Sequence, residues 1–332
     1  MHLHNQARLD KSMTENNHHQ LLAQIASMYY EQEKSQNEIA DEMGLSRVKV
    51  YRLLKEAREE NIVKIVISWP IERDNATEKQ LCEVFHLKKA LVVRSKPTND
   101  SVALRRLGQL TANCLEMILE DSNTLAVCLG HSTYEVINAV RPTFQTHVNV
   151  VQAMGSIPFT VQDIDSAALA RQLAHKLGGK VLYLTAPLIA NTPDEAIVLR
   201  RQKSIELTLN ASRNADILLL GIGNLDPKSS RYVQADVLST DQIKVLEEEG
   251  AVGDIGGQFY NIDGGLHPCS YNQRIIGLTL DEMQQIPNTI AIAMGPKKVN
   301  AILGALRTGV IKILSTDLET ASAVLKLESE SR

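Results

Sequence analysis

The feature that most constrains this chain is a set of spaced signals between residues 35 and 60. Ser35-Gln-Asn-Glu38 has the form of a capping box: the serine side chain accepts from the amide three residues on, and the glutamate reaches back. A helix therefore starts there, with Ile39, Ala40 and Met43 on its inner face. It stops at Gly44, which tolerates the left-handed backbone that turns the chain. Ser46 caps the next helix, Arg47 to about Glu60, whose inner positions are Val50, Leu53, Leu54 and Ala57. Small Ala40 lets the two helices cross closely, Gly44 makes the turn, and β-branched Val50 fills the space between them. With a preceding amphipathic helix from Leu21 to Tyr30, this is the spacing of a helix-turn-helix.

The outward residues of the third helix are Arg47, Lys49, Arg52 and Lys55, all of which precede its first acid, Glu56. In this motif the third helix enters the major groove N-terminus first. Ser46, Arg47, Val48 and Arg52 are thus expected at base edges, with Lys49, Tyr51 and Lys55 near phosphates. The expected partner is double-stranded DNA. A net charge of −4 means that this attraction is local, a basic surface on an acidic body. The β-branched stretch from Ile62 to Ser68 reads as a strand, the wing of a winged helix-turn-helix, with Lys64 against the DNA backbone. Trp69-Pro70 and the charged Glu72-Arg-Asp-Asn75 break the pattern and mark a junction, where Trp69 packs.

The predicted organisation is a disordered tail over 1–18, a winged helix-turn-helix over 19–70, and a larger α/β domain over 71–332. The tail and its junction with the next segment hold His2, His4, His18 and His19, but histidines in a polar tail lack the fixed geometry of a metal site, and none is expected. Cys82, Cys114, Cys128 and Cys269 are widely spaced, which argues against zinc ribbons and disulfide frameworks and fits a reducing cytoplasm. The sequence shows neither a leader nor an apolar run of membrane-spanning length, so no membrane association is expected.

After the junction, apolar strands alternate with amphipathic helices, the pattern of a parallel sheet covered on both faces. Strands are predicted at 90–93, 125–129, 148–152, 181–184, 217–220, 289–293 and 311–314; helices at 101–119, 133–140, 163–177, 239–248, 297–308 and 317–327. Several strands end in short loops: Gly130-His-Ser-Thr133, Gly155-Ser156, Gly221-Ile-Gly-Asn224 and Gly295-Pro-Lys-Lys298. In open α/β sheets ligands bind outside the carboxyl ends of the strands, so these loops converge on one candidate site. Gly130-His-Ser-Thr133, opening a helix, suits a phosphate, and is equally an ordinary glycine turn. Asp254 suits sugar hydroxyls and Lys298 a phosphate, against the plainer roles of a turn-stabilising carboxylate and a solvated amine. The chain has no G-x-G-x-x-G, no phosphate-binding loop ending in Gly-Lys-Ser/Thr and no nucleophile elbow, and no cofactor is expected.

From Leu21 to Leu327 the sequence resembles the SorC/DeoR-type family of bacterial sugar-binding transcription regulators. The likeness is carried by Gln36-Asn-Glu-Ile-Ala40, Gly44-Leu-Ser46, Arg52-Leu-Leu54, Ala215-Asp-Ile217, Gly221-Ile-Gly223, Gly250-Ala-Val-Gly-Asp-Ile255, Asn272-Gln-Arg-Ile-Ile-Gly277 and Gly295-Pro-Lys-Lys298 with Ala301-Ile302. The resemblance implies a winged helix-turn-helix joined to a Rossmann-like α/β effector domain similar to the glucosamine-6-phosphate deaminase, ribose-phosphate isomerase and CoA-transferase folds. It also implies a homo-oligomer, typically a tetramer, and a phosphorylated sugar or polyol as effector. Carried over by position, the phosphate lies against Gly130, His131, Ser132 and Thr133 and near Gly155 and Ser156, with Asp254 and Lys298 holding the sugar. Some relatives place an imine-forming lysine before the Gly155 pair; Met154 stands there in this chain, which favours non-covalent binding.

Two functions compete on the sequence. In the first, the chain is a regulator of a carbohydrate-utilisation operon, not an enzyme, whose operator affinity responds to the effector. In the second it is a sugar-phosphate isomerase or deaminase with an appended DNA-binding domain, Asp254 acting as general base and Lys298 as electrophile. That chemistry needs a second placed acid or base, and the sequence offers no convincing partner for Asp254.

Overall fold

The computed structural model describes residues 18–60, 62–63, 70–94, 99–128, 130–141, 144, 146–157 and 166–331. The chain forms two compact units, Met1–Ser68 and Trp69–Arg332. The wing expected over Ile62 to Ser68, with Lys64, falls largely outside the described residues, as do the contacts expected of Trp69 and nearly all of the N-terminal tail.

In the first unit three helices, α1 (18–30), α2 (Gln36–Met43) and α3 (Arg47–Glu59), enclose a small core. Leu22 and Ile25 of α1, Ile39 of α2 and Val50, Leu53 and Ala57 of α3 are fully buried in it. The helix ends are fixed locally. The Glu38 amide donates to the Ser35 hydroxyl at 3.3 Å and the Ser35 amide to the Glu38 carboxylate at 2.8 Å, the reciprocal capping expected. These bonds, Ser35's above all, hold the Glu38 carboxyl below its ordinary pKa. Gly44 takes φ 64°, ψ 31° and returns its amide to the Ala40 carbonyl, so α2 ends in the left-handed turn that redirects the chain into α3.

The second unit is built on a seven-stranded sheet. Its strands are β1 (Lys89–Val93), β2 (Thr124–Val127), β3 (Asn149–Gln152), β4 (Val181–Leu182), β5 (Ile217–Gly221), β9 (Asn288–Ile292) and β10 (Ile313–Asp317). The strands β6 (Gly223–Asn224), β7 (Ala251–Ile255) and β8 (Gln258–Asn261) form a separate three-stranded antiparallel sheet. The order in the large sheet is β1-β10-β9-β5-β2-β3-β4, and every neighbouring pair is parallel.

Alternate residues of each strand supply two cores. Leu218 and Leu220 join Ala126, Ala291 and Leu314 on one face, covered by α4 (Asn75–Phe85) and the helices Val299–Arg307 and Leu318–Ser331. Ile217 and Leu219 join Leu125, Val127, Val150 and Ile290 on the other, covered by α5 (Asp100–Ile118), α6 (His131–Ala139) and α7 (Ser166–Lys176). Burial of both faces is why these strands read as nearly continuous apolar runs.

The chain path sets the site. From β2 the chain moves outward through β3 to β4, returns to the other side of β2 as β5, and runs through β9 and β10 toward β1. The direction reverses between β2 and β5. Loops leaving their carboxyl ends diverge there and leave a crevice.

Candidate functional site

On the first unit the candidate surface is the outer face of α3. The Ser46 hydroxyl accepts the Lys49 amide at 3.2 Å and caps the helix. Arg47, Val48, Lys49, Tyr51, Arg52 and Lys55 are all exposed, opposite the buried Val50, Leu53, Leu54 and Ala57. Val48 (61 %) and Tyr51 (53 %) are exposed on this face among the cations, whose sign suits nucleic acid. Lys55 stands 3.5 Å from Glu59, a weak exposed pair that a phosphate can replace.

On the second unit Cys128 and Gly130 to Thr133 follow β2, Gly221 to Asn224 close β5 and form β6, and the small sheet brings Asp254 beside them. Gly223 and Asp254 are register partners between β6 and β7. A side-chain carbon added to Gly223 would lie 1.8 Å from Asp254 Oδ1, so the absence of one is what lets the carboxylate sit at the strand end. Asp254 Oδ2 accepts from the Tyr232 hydroxyl at 2.6 Å and from the Gly257 amide at 3.2 Å. Burial raises the pKa of the Asp254 carboxyl, while Tyr232, Gly257 and the Lys298 ammonium favour its ionised form. Lys298 ends a single 3-10 turn, Pro296–Lys298, and donates to the Ile222 carbonyl at 2.7 Å. Burial lowers its pKa and the Asp254 charge pulls it back up.

Two further basic groups belong here. His131 opens α6; although its outer edge is exposed, desolvation first, then the charges of Arg231 and Lys298, lower its pKa. Arg231 stands at the start of the short helix Arg231–Gln234, directly before Tyr232, and desolvation lowers its pKa too. His131 thus lies within electrostatic reach of Arg231 and Lys298, and Lys298 within reach of the buried Asp254, so that basic groups suited to an anion stand beside a carboxylate suited to hydroxyls. Sequence reasoning missed Arg231 and Tyr232: they lie in an aperiodic stretch between β6 and β7, and only the fold carries Tyr232 to Asp254 and Arg231 toward His131. Cys128 also borders the carboxylate, but burial, with the Asp254 charge, pushes its thiol up to about 12, which leaves it inert.

The other expected residues divide. Ser132 is buried beside Gly221, whose added carbon would lie 3.8 Å from the Ser132 side chain. Thr133 is fully buried and serves its own loop: its hydroxyl takes the Gly130 amide at 2.8 Å and lies 3.0 Å from the Gly130 carbonyl. The Gly130 amide is therefore spent inside the loop. Gly155 and Ser156 are likewise engaged, their amides donating to the carbonyls of Ile276 (2.8 Å) and Ala186 (2.9 Å). The glycine is explained by the close approach of Pro187, whose carbonyl oxygen would lie 2.3 Å from an added carbon. Met154 and Ile157 pack on the apolar cluster that holds Tyr232 and Phe259.

A helix-turn-helix with an exposed basic face on one unit, and basic groups gathered beside a buried carboxylate at the switch point of an α/β unit, fit a ligand-responsive transcription regulator. Residues 69–326 match the family described as "Putative sugar-binding domain". The transcriptional regulator LsrR of Enterobacter sp. (strain 638) is 30% identical over 315 residues, covering 93% of each chain. The sorbitol operon regulator of Klebsiella pneumoniae is 29% identical over 314 residues, 92% of this chain and 98% of that one. The crystal structure of the full-length sorbitol operon regulator SorC from Klebsiella pneumoniae superposes with a TM-score of 0.70 at 26% identity, over 92% of this chain and 99% of that one. The chain belongs to the SorC/DeoR-type family of sugar-binding transcription regulators.

Proposed function

We propose that the protein regulates a carbohydrate-utilisation operon, binding operator DNA through the outer face of α3 and a phosphorylated sugar or polyol, non-covalently, in the crevice between β2 and β5. The observation that carries this reading is the gathering of basic groups beside a carboxylate: Lys298, held on the Ile222 carbonyl next to the Gly223 that pairs with Asp254, interacts with the buried Asp254, and His131 feels the charges of Lys298 and Arg231. The cations match a phosphate, and the carboxylate matches the hydroxyls of the sugar that bears it. Met154, which stands directly before Gly155, has no amine to form an imine. The protein works as a cytoplasmic homo-oligomer, a tetramer by its family, so that paired heads meet operator half-sites and the effector shifts operator affinity by favouring one arrangement. Among the described residues no helix is long and apolar enough to cross a membrane.

The test is a thermal-shift screen of phosphorylated sugars and polyols beside their unphosphorylated parents, followed by operator binding with and without each compound that stabilises the protein. Stabilisation by phosphorylated compounds alone, with a changed operator affinity and no turnover, is the expected result. Equal stabilisation by the unphosphorylated parents removes the phosphate; turnover of a bound sugar phosphate favours the isomerase or deaminase reading instead.

A further inference from the structure

The helix Pro193–Arg200 buries only Ala196, and its middle is nevertheless apolar: Ile197 is 48 % exposed and Val198 59 %. Arg201 extends it, with helical backbone (φ −86°, ψ −9°) and an amide that returns to the Ile197 carbonyl at 3.3 Å. Asp194, Ile197, Val198 and Arg201 are spaced i, i+3, i+4 and i+7 and so share one face of the helix. Asp194 and Arg201 are both exposed.

Single exposed apolar side chains are ordinary on a protein surface. This face is different because it is symmetric: an acid, two β-branched residues and a base, centred between Ile197 and Val198. An antiparallel copy related by a two-fold axis through that centre sets Asp194 of each copy opposite Arg201 of the other, and packs Ile197 and Val198 against their equivalents. Opposite charges at the two ends reject the parallel arrangement, in which like charges would meet. More apolar surface lies on the neighbouring helix Lys203–Arg213, where Leu207 is 57 % exposed beside Thr208, whose hydroxyl donates to the Tyr183 carbonyl at the free edge of the sheet.

We infer that this face is where a second copy of the chain docks, through two-fold antiparallel pairing of the helix Pro193–Arg200 with its equivalent. The inference rests on the homo-oligomer proposed above and supplies one of its contact surfaces.

The experiment is analytical ultracentrifugation of the full chain over a range of concentrations. Asp194→Arg and Arg201→Asp each create two like-charge contacts across the axis and weaken self-association roughly tenfold or more. The double variant exchanges the signs and restores the wild-type assembly. Val198→Gln weakens it through lost apolar contact and gives a second, uncharged reading. All these positions are exposed, and circular dichroism confirms that each variant folds. A wild-type chain that sediments as a monomer overturns the oligomer itself. An oligomeric wild type whose folded single variants assemble unchanged, or whose double variant fails to recover, overturns this surface alone.

Discussion

The Tyr232 hydroxyl donates to Asp254 Oδ2 at 2.6 Å, and both groups are buried. The phenol ring is steadied by Phe259, whose centroid is 5.5 Å away, and its hydrogen bond opposes the burial that raises the Asp254 pKa. Tyr232→Phe keeps the ring and removes the donor, so the Asp254 pKa rises further. If the ionised carboxylate accepts the sugar hydroxyls, effector affinity is lost as pH falls through that pKa, and in the variant it is lost at a higher pH. Calorimetric dissociation constants across pH check this; an acid limb that stays in place means that Tyr232 does not act through Asp254.

Gly223→Ala is expected to disable effector binding while sparing the fold's outer surfaces. The added methyl meets Asp254 Oδ1 at 1.8 Å in the unrelaxed structure, so the carboxylate must swing away from the crevice. Effector affinity should fall about tenfold or more, the worth of one charged hydrogen bond. Operator binding without effector should be unchanged. A wild-type effector affinity in the folded variant would show that Asp254 faces no ligand.

Operator recognition separates from sensing. Arg47→Ala and Arg52→Ala remove guanidinium groups from the exposed face of α3. Each should cost about 1–3 kcal/mol and relax sequence preference at one position, whereas Lys55→Ala, at a proposed phosphate contact, should weaken all sequences alike and lower the salt slope by about one. The effector-induced thermal shift should persist in all three. Gel-shift titrations against operator and scrambled DNA at several salt concentrations decide it: equal loss on both DNAs for the arginine variants would move them from base edges to phosphates.

The parts legible in the sequence were those fixed by local rules. The capping box at Ser35, the left-handed Gly44 and the buried face of α3 each depend on residues within a turn or two. All seven strands of the parallel sheet were visible as apolar runs, with ends displaced by a few residues: β10 begins at Ile313, not Ile311. The small antiparallel sheet was not visible, because β7 reads Ala-Val-Gly-Asp-Ile, and glycine and aspartate are poor strand formers. Its pairing of Gly223 with Asp254 is set by the tertiary fold. The same non-locality hid Arg231 and Tyr232. Conversely, Thr133 and Gly155 stood out as ligand-loop residues, and the structure gives each a role in building its own loop.

Leu53→Ala should uncouple the two units. Leu53 is fully buried in the three-helix core, and truncation of such a side chain costs about 2–5 kcal/mol. A domain this small has little more than that to lose. Operator binding should vanish, while the main thermal transition and its response to effector remain, because the second unit carries separate cores. Calorimetric scans would show this as loss of one transition; a single transition shifted as a whole would mean that the units melt together.

His131 should give effector binding a second pH limb, opposite in sense to that of Asp254. In the free protein, desolvation and then the Arg231 and Lys298 charges hold the imidazole pKa below its ordinary value, so the ring is neutral near pH 7. A phosphate bound among these cations offsets their charge and raises that pKa. Between the free and bound values binding takes up a proton, so affinity increases as pH falls, until protonation of Asp254 reverses the trend. Calorimetry in buffers of different ionisation enthalpy measures the proton directly. His131→Asn should abolish the uptake and flatten the alkaline limb, leaving the acid limb where it was; Tyr232→Phe should move the acid limb and leave the alkaline one. Proton uptake that survives His131→Asn would assign the titrating group to another residue of the crevice.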